Sequence, residues 1–268
     1  MIYFPQLSTG AVAQLPLRWT DTFRAVVNPF MDGSEVMLSD APATGVAWNL
    51  TYTGLAECER QTLQRFFEQT RGGLKTFTML DAADNLLAWS EDFTQSCWAP
   101  GPLLRITPGA ADPFGGTAGM TMTNTAQASQ AVSQQINGPG GYRYCLSVYV
   151  RSDVPQTVWL TQSCNGATLR DEVITTGSWR RSAMSGAVSG GDGVAFGIQV
   201  PSGAQVQVFG AQVEAQPAVG TYKRTSISGG VYENCRFDQD ELQMTATAPG
   251  VYRCALRIRT TGQTPWRR

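Results

Sequence analysis

Between Leu55 and Leu80 the spacing of apolar residues changes period. Cys58, Leu63, Phe66 and Phe67 recur at helical intervals, while Glu57, Glu59, Arg60, Gln64 and Arg65 fall between them, which predicts one amphipathic helix with a single apolar stripe. Gly72 and Gly73 stand where its C-cap belongs. Beyond them Leu74, Thr76, Thr78 and Leu80 alternate with Lys75, Phe77, Met79 and Asp81, so a strand follows at once. A lone helix between strands needs a sheet to cover. Trp48, Leu63, Phe66, Phe67 and Phe77 are the expected core of this first part.

Upstream, Phe23 to Val27 reads as a strand, Asp32-Gly33 as a hairpin turn, and Val36 to Leu38 as the return. Trp48, Leu50 and Tyr52 share one face of the next strand. From about Leu87 to Thr225 no helical stripe occurs. Leu146, Val148 and Val150 alternate with Cys145, Ser147 and Tyr149, and Val194, Phe196, Ile198 and Val200 alternate with Ala195, Gly197 and Gln199, each set predicting a half-buried strand. Gln205 to Val213 repeats the pattern, and Gly138 to Gly141 and Gly190 to Gly193 punctuate it. Many short strands without a helix argue for a sandwich or jelly roll. The last forty residues return to a hairpin about Pro249-Gly250, with Leu242, Met244 and Ala246 facing Tyr252, Cys254, Leu256 and Ile258.

Several stretches together carry a resemblance. YFPQLSTGAVAQLPL, VAWNLTYTGL, the helix ending in paired aromatics and its F-x-x-L-D strand are similar to distal-tail and minor-tail proteins of long-tailed bacteriophages and prophages. LLAWSEDFTQSCWAPG, YRYCLSVYVRS, VQVFGAQVEAQPAVGTYKRTS and GGVYENCRF resemble the segments of such a protein that carry a carbohydrate-binding-like jelly roll. The resemblance implies a closing hairpin directly after the strand that follows the helix, a position occupied here by the extra module. The expected fold class is therefore mainly β: a β-sandwich base domain, residues 1–88 plus 227–268, with one covering helix at about 55–71, interrupted by an inserted all-β jelly-roll module, residues 89–226. The plainer alternative is a two-domain chain with a C-terminal arm. What the resemblance implies about role is a virion component of the tail tip, assembled in the host cytoplasm, forming a homo-oligomeric ring with contacts to tube, hub and minor tail proteins. A stand-alone lectin-like glycan-binding protein is the alternative, and a polysaccharide-degrading enzyme the least favoured.

Composition narrows the chemistry. Apolar residues make up 42% of the 268 and charged residues 15%, with a net charge of −1, which suits a folded chain and shows no basic face for nucleic acid. MIYFPQLSTG lacks the pattern of a secretory signal, and no apolar run is long enough for membrane insertion. Histidine is absent, so Ser-His-Asp and Cys-His hydrolysis are excluded. The chain is expected not to be an enzyme, because its acid pairs (Asp81 with Asp84, Glu91 with Asp92, Asp171 with Glu172, and Asp238, Asp240 and Glu241) read as solvated turn residues. No cofactor is expected. Should a structural calcium ion be held, Asp81, Asp84, Glu91 and Glu214 supply the hard oxygen ligands, with ordinary turn and capping roles preferred. Six scattered cysteines, with no C-x-x-C pair, read as free thiols.

The aromatic residues carry the better hypothesis, because sugars present flat C–H faces to Trp and Tyr. Tyr149 and Trp159 each alternate against apolar neighbours, and with Gln162, Asn165, Arg170 and Trp179 they form the candidate glycan-binding set for host-surface polysaccharide. The competing role for any one of these rings is core packing.

Overall fold

The computed structural model describes residues 1–39 and 45–260, and there the alternation in the sequence becomes eighteen strands and one helix. The chain divides into two compact units. The first takes residues 1–8, 12–79 and 232 onward, and the second takes 80–231 with 9–11.

The first unit runs through β1 (Arg18–Thr22), β2 (Ala25–Pro29), β3 (Glu35–Ser39), β4 (Gly45–Ala56), helix α1 (Glu57–Thr70) and β5 (Phe77–Leu80). The second supplies β6 (Ala99–Pro100), β7 (Leu104–Ala110), β8 (Gly119–Asn124), β9 (Gln130–Pro139), β10 (Tyr144–Arg151), β11 (Thr157–Cys164), β12 (Ala167–Ile174), β13 (Arg180–Gly186), β14 (Asp192–Val200) and β15 (Gln205–Glu214). The chain closes on β16 (Val231–Phe237), β17 (Met244–Ala248) and β18 (Val251–Arg259).

In the first unit the sheet order is β1-β4-β18-β16-β5, with β17 also on β18. Register across β4 and β18 sets Trp48 beside Ile258, Leu50 beside Leu256 and Tyr52 beside Cys254, all buried. The Tyr52 hydroxyl donates to the Val12 carbonyl at 2.8 Å, which satisfies the one polar atom that the ring carries inside. Phe4, Phe66, Phe77 and Phe237 form a second cluster, with ring centroids 5.1 to 6.3 Å apart.

The expected fold class needs correction. The described chain is almost wholly β, in four antiparallel sheets, and α1 is a minor element rather than a covering layer. Its buried residues are Leu63, Phe66 and Thr70; Cys58 is exposed and Phe67 half-buried. The aromatic side chains from the strands and the N-terminal segment fill the space that the apolar stripe was expected to close. The cap differs as well. Arg71, at φ 53°, takes the left-handed C-cap position, and Gly72 follows at φ 58°. Gly73 answers a different need, since a Cβ there would lie 2.8 Å from the Phe237 carbonyl oxygen. β5 begins only at Phe77 and is buried on both faces, so the alternation from Leu74 does not become a half-buried strand.

β2 and β3 pair as a two-stranded hairpin turned at Asp32-Gly33. The Asp32 carboxylate accepts from the Ser34 backbone and hydroxyl, which fixes the turn. Val26, Val27, Val36, Met37 and Leu38 are all exposed on it.

The second unit is an antiparallel sandwich of two five-stranded sheets, ordered β13-β10-β15-β8-β7 and β12-β11-β14-β9-β6. Leu146, Val148, Val150, Val158, Leu160, Val194, Phe196 and Ile198 are all buried in this unit. β10 departs from the half-buried expectation: all but Tyr149 and Arg151 are buried. Four of the six cysteines are buried, Cys97 is half-buried and Cys58 exposed, all as free thiols.

Candidate functional site

On β10 the side chains that point away from the core are Ser147, Tyr149 and Arg151, in parity with the buried Leu146, Val148 and Val150. Antiparallel register places Arg181 of β13 and Phe209 of β15 on either side of Tyr149. One step along the strands, about 7 Å away at strand rise, lies the row Arg151, Gln207, Thr121 and Thr107. Two residues brought by irregular chain complete the ring cluster. Phe114, from the loop 111–118, sits 5.6 Å from Tyr149 and 5.8 Å from Phe209. Tyr222 sits 5.6 Å from Phe209 and lies nearly parallel to Phe114, at 17° and 6.4 Å.

The loop that presents Phe114 is built on one carboxylate. Asp112 accepts backbone N–H groups from Phe114, Gly116 and Ala118 at 2.8 to 3.2 Å. Desolvation by itself would raise this carboxyl, but those donors hold it below its ordinary value. Phe114 is thereby kept 67% exposed although the residues around it are fixed.

The segment 215–226 is held against the same face by side chains that the sheet buries. Gln212 donates to the Thr221 carbonyl and accepts from the Lys223 N–H, as a β partner would. Glu214 accepts the Gly220 N–H at 2.8 Å, and Arg181 donates to the Gly220 carbonyl at 2.7 Å and to the Ser147 hydroxyl at 2.9 Å. The Arg181 guanidinium stands over Tyr149 at 5.6 Å and Tyr222 at 6.0 Å. Burial, and then the nearby Glu214 charge, pushes the Cys145 thiol up to about 11. Burial also raises the Tyr222 hydroxyl, which shares a 3.0 Å hydrogen bond with Ser90 and donates to Glu91 at 3.1 Å.

These elements border an open trough of about 510 Å³, lined by Phe114, Phe209, Asp112, Glu91 and Arg224 with residues 116–118. Glu91 and Arg224 pair across 3.1 Å. Rings at the wall and charged groups at the rim suit a ligand with apolar faces and many hydroxyls. Farther along, the Arg151 guanidinium stands over Trp179 at 5.0 Å from the ring centre, and its Nε donates to the Gln207 side-chain oxygen.

The six glycan candidates do not form one groove. Tyr149 and Trp179 share the face just described. Trp159 lies on the outer face of the other sheet with Glu172 and Gln199 opposite it, and Arg170 is one step along that face opposite Thr161. Gln162, three residues from Trp159, must point the other way; it is 1% exposed, and its amide nitrogen has no partner among the described residues. Asn165 makes the β11–β12 turn with Gly166, at φ 47° and 81°. The calcium candidates are dispersed too. Asp81 accepts from Ala83 and Asp84 from Asn85 as local caps, Glu91 pairs with Arg224, Glu214 serves Gly220, and among the described residues no three metal-ligating side chains gather. Trp98 is buried on Phe93 and donates to the Trp89 carbonyl at 3.1 Å, all inside the second unit.

Phe114, Arg151, Arg181, Phe209 and Tyr222 were missed by sequence reasoning. Arg151 and Phe209 were within reach of strand parity. Phe114 and Tyr222 lie in irregular chain, where no period points to them.

No protein-family model matches this chain, and no curated protein is similar to it in sequence. Solved structures of similar fold include the CBM22-1 xylan-binding domain of Paenibacillus barcinonensis Xyn10C, at 18% identity and TM-score 0.41, covering 52% of this chain and 99% of that one. TmCBM61 in complex with β-1,4-galactotriose matches at 16% identity and TM-score 0.37, over 48% and 97%. The enzymatically active domain of bacteriophage CBA120 tailspike protein 4 matches at 13% and TM-score 0.40, over 51% of this chain and 22% of that one. Likeness at this level transfers neither a ligand nor an activity.

Proposed function

We propose that the second unit is a glycan-binding module whose ligand lies on the outer face of the β13-β10-β15-β8-β7 sheet. The observation that carries this reading is the exposed Phe114 ring, fixed by Asp112 beside an open trough and backed by Tyr149, Phe209 and Tyr222. Binding alone is required, with no reaction. The test is affinity electrophoresis of the full chain through gels containing neutral and acidic polysaccharides. Retardation by at least one glycan is expected. Phe114→Ala should weaken it about tenfold, roughly 1.4 kcal/mol, and Trp159→Ala should not. Loss of binding with Trp159→Ala and not with Phe114→Ala would move the site to the opposite sheet.

We infer that the second unit is an insertion in the first, and that the first serves assembly in a phage tail tip. Support comes from the β2–β3 hairpin. Five exposed apolar residues lie on a two-stranded element, which is marginal in water without a cover. A second copy of this chain is the cover, as a ring of identical subunits requires. Multi-angle light scattering should find an oligomer that Val27→Glu with Met37→Glu reduces to monomer. A monomeric parent chain, and particles whose tails no antibody to this chain labels, would remove this reading and leave the glycan module standing.

A further inference from the structure

Among the charged groups on the proposed glycan face, Arg151 is held in place yet has no carboxylate partner, whereas the exposed Arg105 has neither a hydrogen bond nor an ion pair among the described residues. Glu91 is paired with Arg224, Asp112 is committed to backbone N–H groups, and Glu214 holds Gly220 and Gln216. Arg181 has both terminal nitrogens on protein oxygens. Arg151 has only its Nε bonded, to Gln207, and its guanidinium carbon stands 5.0 Å from the centre of the Trp179 ring. Its two terminal nitrogens meet no acceptor among the described residues, and no carboxylate pairs with it. The residue is half-buried, so the Trp179 contact and the Gln207 bond together restrict its planar fork. The row it belongs to continues through Gln207, Thr121 and Thr107, and Arg105 lies on the same face one step farther, opposite Thr123.

A fixed guanidinium with free parallel N–H groups is built for a bidentate oxyanion, whereas neutral hydroxyls ask for mixed donors and acceptors. We propose that the ligand is an acidic glycan, and that a carboxylate or sulfate on it docks on the free edge of Arg151 while neighbouring sugar rings lie toward Phe114. This assignment rests on the glycan reading above and adds the ligand's charge to it. Gln207 and Trp179 are positioning residues that aim the fork.

The test is affinity electrophoresis of the full chain against polygalacturonate, alginate and hyaluronan, each beside its carboxyl-reduced counterpart, with two neutral glycans, xylan and galactan, in parallel. At least one acidic chain should bind ten times or more tightly than its reduced form. Arg151→Gln should abolish that preference, Arg151→Lys should restore only part of it, and Arg253→Gln in the first unit, which removes the same charge, should leave it intact. Circular dichroism melts on each variant separate lost binding from lost fold. Equal binding of acidic and reduced chains, or binding of neutral glycans alone, overturns the acidic ligand and leaves the glycan module standing. A preference for acid that survives Arg151→Gln overturns the role of this residue. No retardation by any glycan overturns both readings.

Discussion

Single residues decide whether the ring cluster exists. Gly210 takes φ 64° at the bulge in β15, and a Cβ there would lie 2.9 Å from the Tyr222 ring. Gly210→Ala should therefore cost about 1–3 kcal/mol, from left-handed backbone and a displaced ring, read by urea denaturation. Asp112 acts at the same scale. Asp112→Asn removes the charge that three backbone N–H groups share and should weaken glycan retention severalfold with only a small fall in melting temperature at pH 7, since the depressed carboxyl favours the folded loop but the loop is at the surface. In the first unit, hydrogen bonds from Arg60, then Tyr252 and Gln61, hold the Glu57 carboxyl down to about 2 against an ordinary 4.5. A carboxyl depressed on folding stabilises above its unfolded pKa, and that contribution fades as pH falls from about 4.5 through about 2. Glu57→Gln should lower the melting temperature at pH 7, and by progressively less as the pH is brought down toward 2.

Elements were legible where one period ran uninterrupted. Trp48, Leu50 and Tyr52 announce β4, Asp32-Gly33 and Pro249-Gly250 announce their hairpins, and the runs at 194–200 and 205–213 announce β14 and β15. Parity also held the information that Trp159 and Gln162 face opposite ways, since residues three apart in a strand cannot share a face. What no period carries is which irregular segment lies on which sheet. Tyr222 reaches the site because Gln212, Glu214 and Arg181 hold the segment 215–226, contacts fixed by tertiary structure alone. The helix misled for a related reason. Its stripe was real at Leu63 and Phe66, but Phe4, Phe77 and Phe237 supply most of the surrounding rings, so it closes little by itself. Gln212→Leu should release the segment, leaving the Thr221 carbonyl and Lys223 N–H without partners, and limited proteolysis should then cleave between 215 and 226 faster than in the parent chain.

Across the whole molecule, two units with separate buried clusters should not melt as one. Scanning calorimetry should resolve two transitions, and Phe237→Ala, which empties a place in the aromatic cluster of the first unit, should lower only one of them, by about 3–5 kcal/mol. The distribution of thiols offers a practical handle on the same division. Cys58 is exposed at the start of α1, while Cys145, Cys164, Cys235 and Cys254 are shut inside. With the half-buried Cys97 of the second unit replaced by serine, a maleimide dye added to the native chain should thus report from one address, outside the unit proposed to bind glycan, so fluorescence can follow capture without a tag on the proposed surface.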